Sequence, residues 1–314
     1  MMRAVEYDRY GDAGQLSVRT VPKPQPKRGE VLVRVHGSSV NPVDAKIRSG
    51  GIRMMSGRKF PKRTGMDFAG EVEAVGPGVA DVALGQRVWG FLSDVSGRTG
   101  AAADYITVRT SALSEAPTTL DLVTAGALPS VGVTALRALR DVVRLQPGED
   151  LLVVGGSGGV GSIAIQLGQV MGAKVTAVAS AANAAFCREL GATRVIDYAA
   201  RGGPSGEFDV ILDTYGGSLG AYRRLLRRRG RMMTTSIDGM TFALLSALSP
   251  GPRVRQMMAR SRRADLAALA ESVDQGKIRP VVERIYPLES LGEAHHAVET
   301  GHARGKKLIA VVSD

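Results

Sequence analysis

The sequence predicts an α/β protein in which a β-rich domain is followed by a doubly wound parallel sheet and then by a return of the chain to the first domain. Three observations lead there. Up to about residue 115, short apolar runs alternate with turn residues such as Pro22, Pro24, Pro26, Gly76, Pro77, Gly78 and Gly85. From Leu120 onward, apolar runs alternate with helical patterns, which is how parallel strands joined by crossover helices read. Past about residue 262 the alternation stops. The expected domains are residues 1–121, completed by 263–314, and residues 122–262.

Taken in order, residues 31–35 and 88–91 read as short strands of the first domain. A helical stretch over 127–143 opens the second. Residues 150–180 then form one βαβ unit: an apolar run, a glycine-rich turn, a helical pattern and a second apolar run. Gly156, Gly158 and Gly161 match G-x-G-x-x-G. In that motif the first glycine allows the tight turn, the second lets the backbone approach a pyrophosphate, and the third lets helix and strand pack closely. The helix N-terminus adds free N–H donors and a positive dipole end. The flanking strand and helix favour a dinucleotide site over a merely structural turn. Further strands are expected at 194–197, 208–213 and 231–235, a helix at 262–275, a short helix at 291–299 and a last strand at 307–312.

Composition narrows the function. With 44% hydrophobic and 23% charged residues the chain reads as an ordinary soluble globular protein. Charges fill the first ten residues and no apolar run approaches ~18 residues, so a cytoplasmic protein without a membrane partner is expected. Cys187 is the only cysteine, which rules out an intrachain disulfide and any zinc site built from several thiolates. It falls on the helix after Asn183 as a small packing residue. The net charge of +11 owes much to Arg223, Arg224, Arg227, Arg228, Arg229 and Arg231. No aromatic residue interleaves after Tyr222, so this run reads as the solvated face of a surface helix rather than a nucleic-acid site. His36, His295, His296 and His302 form no metal or triad spacing, and His295 and His296 are expected at the surface.

Several segments then fall in a characteristic order: residues 40–44 (Val-Asn-Pro-Val-Asp), 65–70 (Gly-Met-Asp-Phe-Ala-Gly), 75–79, 127–129 with 132–136, the glycine turn, 190–192 with Asp197 and Tyr198, and 301–306. Together they resemble the zinc-independent quinone oxidoreductase branch of the medium-chain dehydrogenase/reductase superfamily. The resemblance implies a GroES-like β-rich catalytic domain and a Rossmann domain. It lays the three catalytic zinc ligands of the superfamily's alcohol dehydrogenases on Asn41, Met66 and Ser130, none a usual zinc ligand, and the lobe of four cysteines is absent. No metal residue is therefore assigned. Hydride transfer to an acceptor that spreads its own charge is implied instead.

By the same resemblance Asn41 and Thr134 lie near the nicotinamide and its ribose, Tyr198 lies beside the adenosine 2′-phosphate, and Ser236 and Lys306 join the cofactor set. Ser157, Gly159 and Val160 complete the turn. From the residues alone, Thr134 is equally a plain helix residue, Asn41 a turn former ahead of Pro42, and Tyr198 a buried tyrosine. Ser180 stands at the end of the second strand, where an NAD enzyme carries Asp or Glu, so NADPH is the expected cofactor. Ala182 occupies the place of a cation, which leaves Ser180, Asn183 and Tyr198 as donors and a modest preference. Lys46, and Asp44 beside it, are candidates to supply a proton, against a surface lysine and a helix-capping aspartate. The expected function is NADPH-dependent reduction of a quinone or activated α,β-unsaturated carbonyl. The alternatives are an enoyl or ketone reductase of a biosynthetic pathway, or a cofactor-bound protein that does not catalyse. The resemblance implies a homodimer, and the apolar stretch 240–248 suits a partner surface, a substrate pocket or an ordinary core helix.

Overall fold

The computed structural model describes residues 1–200, 204–249, 251–301 and 303–312, which leaves His302 outside the described residues. Two compact units emerge: Met1–Ser130 with Arg260–Gly276 and Pro280–Asp314, and Val131–Ala259 with Lys277–Arg279.

In the first unit, alternating apolar residues of the strand Glu30–Val40 place Val31, Val33 and Val35 in the core. That strand pairs antiparallel with Asp67–Val75, Tyr105–Arg109 and Lys306–Ala310. The sheet continues through Arg87–Phe91 to Leu113–Glu115 on one side and to Val282–Pro287 on the other. A second sheet joins Ser17–Val21, Met2–Tyr7 and Lys62–Arg63. Burying each valine or leucine of this core contributes about 1.5–3 kcal/mol. The unit runs past residue 121 because the short helix Leu122–Ala125 lies against the strand Glu30–Val40 at the bare backbones of Gly37 and Gly126. A Cβ on Gly37 would stand 2.6 Å from the Val123 carbonyl oxygen.

The second unit is a parallel sheet in the order Arg194–Asp197, Lys174–Ala179, Asp150–Val154, Phe208–Asp213, Leu226–Thr234, Val254–Gln256. The strand order reverses between Asp150–Val154 and Phe208–Asp213, which makes their carboxyl ends a topological switch point. Leu152, Val154, Val178 and Ile211 are buried in its core, and Cys187 is fully buried on the helix Ala184–Glu189.

Two expectations need correction, and one alternative for the stretch 240–248 is set aside. The arginine run is not a surface helix: the helix Leu219–Arg223 is short, and the strand Leu226–Thr234 takes in Arg227 to Arg231. Neighbouring strand ends supply the reason. Arg227 pairs with Asp209 at 2.5 Å and Asp150 at 2.8 Å, and Arg231 with Glu149 at 2.5 Å. Nor is the helix Met240–Ser246 an ordinary core helix, because Leu244, Leu245 and the following Leu248 are 73, 57 and 86% exposed while Ala243 packs inward. Finally, His295 is not at the surface. The helix Leu291–Glu299 turns it into the core at 0% exposure while His296 faces out, because their side chains point in directions 100° apart.

The buried His295 ring has one partner, Thr64 Oγ1 at 3.2 Å from Nε2, and its Nδ1 has none. Burial, with the nearby Arg48 charge, pushes its pKa down to about 3. The unfolded chain therefore binds a proton near pH 6.5 that the folded chain refuses until about pH 3, so this stability is present above pH 6.5 and lost as pH falls through that window. Urea unfolding at pH 7.5 and pH 5 should show the wild type losing about 2 kcal/mol more than His295→Asn over that interval. Parallel losses in the two proteins would contradict the assignment.

Candidate functional site

Two sets of candidate residues are brought together, one in each unit. In the first unit the strand Glu30–Val40 runs into the helix Pro42–Ser49, with Asn41 as the N-cap, so Asn41 is the helix cap that a turn former before proline becomes. Asp44, in the first turn, accepts the Asn41 backbone N–H at 2.9 Å and is 3% exposed. Burial pushes the Asp44 carboxyl up to about 6, against the pull of that N–H. Lys46 is half-buried on the same helix.

The ammonium in contact with Asn41 comes instead from the last strand of the fold. Lys306 Nζ lies 2.5 Å from Asn41 Oδ1 and 3.4 Å from Asp67 Oδ2. Asp67, fully buried, collects the remaining donors: Ser39 Oγ at 2.5 Å, Asn41 Nδ2 at 2.9 Å, Ser130 Oγ at 2.8 Å and the Ser130 N–H at 2.7 Å. A carboxylate without water is tolerable only with such partners. The sequence reading passed over Asp67 and Ser39. The signal available for Asp67 was a carboxylate set among apolar residues of the strand Asp67–Val75, where a solvent-facing charge would not be expected.

This cluster decides how well zinc would fit. Of the three ligand positions, Met66 offers a thioether, and Asn41 and Ser130 offer an amide and a hydroxyl committed to hydrogen bonds. The Lys306 ammonium already places a positive charge against Asn41. Among the described residues no group of three or more His, Cys, Asp or Glu is arranged to hold a metal ion. The residues do not fit zinc.

In the second unit the glycine turn joins the strand Asp150–Val154 to the helix Gly159–Val170. One role is corrected: the left-handed turn residue is Gly155, at φ +78, not Gly156. Gly156 is needed for close packing, since a Cβ there would stand 2.9 Å from the Ala177 side chain. At Gly161 a Cβ would stand 2.1 Å from the Gly155 carbonyl oxygen, so helix and turn touch backbone to backbone. Gly158 differs from both. As helix N-cap it has φ −74, open to any residue, and a Cβ there would meet only the Gly155 oxygen at 3.4 Å. The fold has no need of a glycine at this position; a ligand lying on the first turn would need one.

Of the remaining candidates of this unit, Ser180, Asn183, Tyr198 and Ser236 follow the carboxyl ends of its strands. Ser180 and Asn183 flank the turn that follows Lys174–Ala179, with Ala182 exposed between them. Tyr198 follows Arg194–Asp197 and is half exposed, which sets aside its reading as a buried tyrosine. Ser236 follows Leu226–Thr234, its N–H donating to Thr234 Oγ1 at 3.1 Å. Ser157 and Val160 lie in the turn and first helical residues, partly exposed. Thr134 is half-buried on the helix Pro129–Arg137.

Two family profiles match the chain, "Alcohol dehydrogenase GroES-like domain" over residues 27–118 and "Zinc-binding dehydrogenase" over residues 190–309. The Arabidopsis thaliana chloroplast envelope quinone oxidoreductase homolog is 32% identical over 98% of each chain. This chain belongs to the quinone oxidoreductase branch of the medium-chain dehydrogenase/reductase superfamily. It is also similar to the mouse mitochondrial NAD(P)H oxidoreductase RTN4IP1, at 34% identity over 90% of this chain and 82% of that one. Among solved structures, the quinone oxidoreductase from Coxiella burnetii superposes with a TM-score of 0.94 at 29% identity over 99% of both chains. The chain is thus an oxidoreductase of this superfamily, and membership implies a nicotinamide cofactor.

The glycine cradle yields a direct prediction. Gly158→Val should fold, with a melting temperature within a few degrees of wild type, because its backbone and surroundings accept a side chain. It should bind NADPH at least about a hundredfold more weakly if the turn takes the pyrophosphate as the glycine motif predicts, because the branched carbons would then fill its space. Titration of nucleotide fluorescence checks this, and unchanged affinity would make the turn purely structural.

Proposed function

We propose that the protein reduces a quinone or an activated α,β-unsaturated carbonyl with NADPH and without zinc. The observation that carries the proposal is the Lys306 ammonium hydrogen-bonded to Asn41, at a position where zinc-using relatives carry a metal ligand. In a zinc alcohol dehydrogenase the metal stabilises the alkoxide of the alcohol, whereas a quinone or enone supplies its own electron sink. Bound NADPH supplies hydride from its nicotinamide ring, and each hydride is matched by one proton taken up by the product. Asn41 is held in one orientation by Asp67, Ser130 and Lys306, so its amide is preorganised. Lys306, held by Asn41 and Asp67, is a fixed positive charge of the kind that favours an oxygen gaining electrons. Lys46 and Asp44 stand on the adjoining helix as proton-bearing groups, and burial keeps the Asp44 carboxyl near pH 6.

The dinucleotide is assigned to the second unit, with its pyrophosphate on Gly156 to Gly161, its adenosine ribose beside Ser180, Asn183 and Tyr198, and Thr134 and Ser236 toward the nicotinamide. No carboxylate stands at Ser180 to repel a 2′-phosphate, and no cation stands at Ala182 to attract it, so NADPH is preferred over NADH by a small margin. The names of the relatives, quinone oxidoreductase and NAD(P)H oxidoreductase, support this reading. The exposed apolar face of Leu244, Leu245 and Leu248 suits a homodimer. No nucleic-acid partner is needed to account for the arginine run, two of whose members, Arg227 and Arg231, are paired to carboxylates. Among the described residues no helix is long and apolar enough to cross a membrane, and the single buried cysteine suits the cytoplasm.

Paired assays test the proposal: p-benzoquinone or an enone with NADPH, and ethanol with NADP. Quinone or enone turnover should exceed ethanol oxidation by at least about a thousandfold. Fast alcohol turnover, or inertness toward every quinone and enone tried, would refute it.

A further inference from the structure

Tyr215 has no part in the dinucleotide assignment above. Among the described residues only two aromatic side chains are strongly exposed, Tyr215 at 74% and Tyr198 at 50%. Both follow the carboxyl ends of parallel strands, Tyr215 after Phe208–Asp213 and Tyr198 after Arg194–Asp197. Tyr215 lies directly at the switch point: Thr214 donates its N–H to the Val154 carbonyl at 3.0 Å, and a Cβ on Gly155 would stand 3.8 Å from Tyr215 Cβ.

The loop that carries the ring is fixed by a buried carboxylate. Asp213, fully buried, accepts from Thr234 Oγ1 at 2.6 Å, the Gly216 N–H at 2.9 Å and the Tyr215 N–H at 3.3 Å. Gly216 takes φ +93, and a Cβ there would stand 2.3 Å from Ser236 Oγ. A Cβ on Gly217 would stand 2.7 Å from Tyr215 Cε1, so the ring lies over bare backbone that any side chain would push it from. An aromatic face carried on a fixed backbone has only two side-chain torsions to order when something flat covers it, so little of the gain in contact is lost.

We infer that the Tyr215 ring is the wall against which the nicotinamide riboside half of the dinucleotide packs, an assignment that rests on the dinucleotide reading above. The halves of the cofactor lie on either side of the switch point. Ser180, at the end of Lys174–Ala179, marks the adenosine side, so the nicotinamide half falls over the ends of Phe208–Asp213 and Leu226–Thr234, where Tyr215 and Ser236 stand. The ring offers a flat, uncharged face to a flat heterocycle and its sugar.

The test compares NADPH with its fragment 2′,5′-ADP, which lacks the nicotinamide riboside, on the intact wild type, Tyr215→Ala and Tyr215→Phe, with thermal melts to verify folding. Tyr215→Ala should raise the Kd for NADPH about tenfold and leave that for 2′,5′-ADP unchanged, while Tyr215→Phe stays close to wild type. Equal NADPH affinity in wild type and Tyr215→Ala, a parallel loss for the fragment, or a change confined to the KM of the acceptor would overturn the inference alone. A wild type that bound no NADPH would overturn the reading beneath it.

Discussion

Burial of the Asp67 carboxylate imposes its own conditions on the first unit. A charge at zero exposure costs several kcal/mol unless donors surround it. The donors come from Ser39 at the end of one strand, Asn41 at a helix cap, Ser130 at the start of another helix and Lys306 on the last strand, as many as 239 positions away. Each of those elements must arrive in register for the charge to be satisfied. The antiparallel pairing of Lys306–Ala310 with Glu30–Val40 is what delivers the lysine, which ties the end of the chain to the chemistry of its first third. The same bonds orient Asn41, so one arrangement serves stability and site together.

In the second unit the glycines of the turn have separate causes. Gly156 and Gly161 are glycine because the protein itself crowds them, and Gly155 because its φ is positive. Gly158 meets neither condition, which agrees with the ligand role proposed for it. Across the switch point Asp213, its pKa raised by burial, does for the Tyr215 loop what Asp67 does for Asn41: a buried carboxylate uses its acceptors to fix neighbouring groups.

The legible and illegible parts of the sequence divide along contact distance. The βαβ unit, the strands near 31–35 and 88–91 and the helix near 262–275 follow from local periodicity and turn chemistry, and all are present. The Asp67 cluster was invisible because its partners are scattered along the chain and none has a characteristic spacing to another. His295 was misplaced because adjacent histidines look alike in sequence, while a helix sends them to different environments. The arginine run misled because arginine reads as solvent, whereas Arg227 and Arg231 sit on a strand whose neighbours present Asp150, Asp209 and Glu149. The G-x-G-x-x-G spacing pointed to the right turn but to the wrong glycine for its strained residue, since φ is not written in the spacing.

The proposal of zinc-independent reduction rests on the Lys306 ammonium held by Asn41 and Asp67, Asn41 being a position that the family resemblance matches to a zinc ligand. Its most direct test is elemental analysis of the purified protein, coupled to its NADPH-dependent quinone rate before and after dialysis against a strong chelator. Well under one zinc per chain and an unchanged rate are expected. One tightly held zinc per chain, with activity lost on its removal and restored on its return, would contradict it.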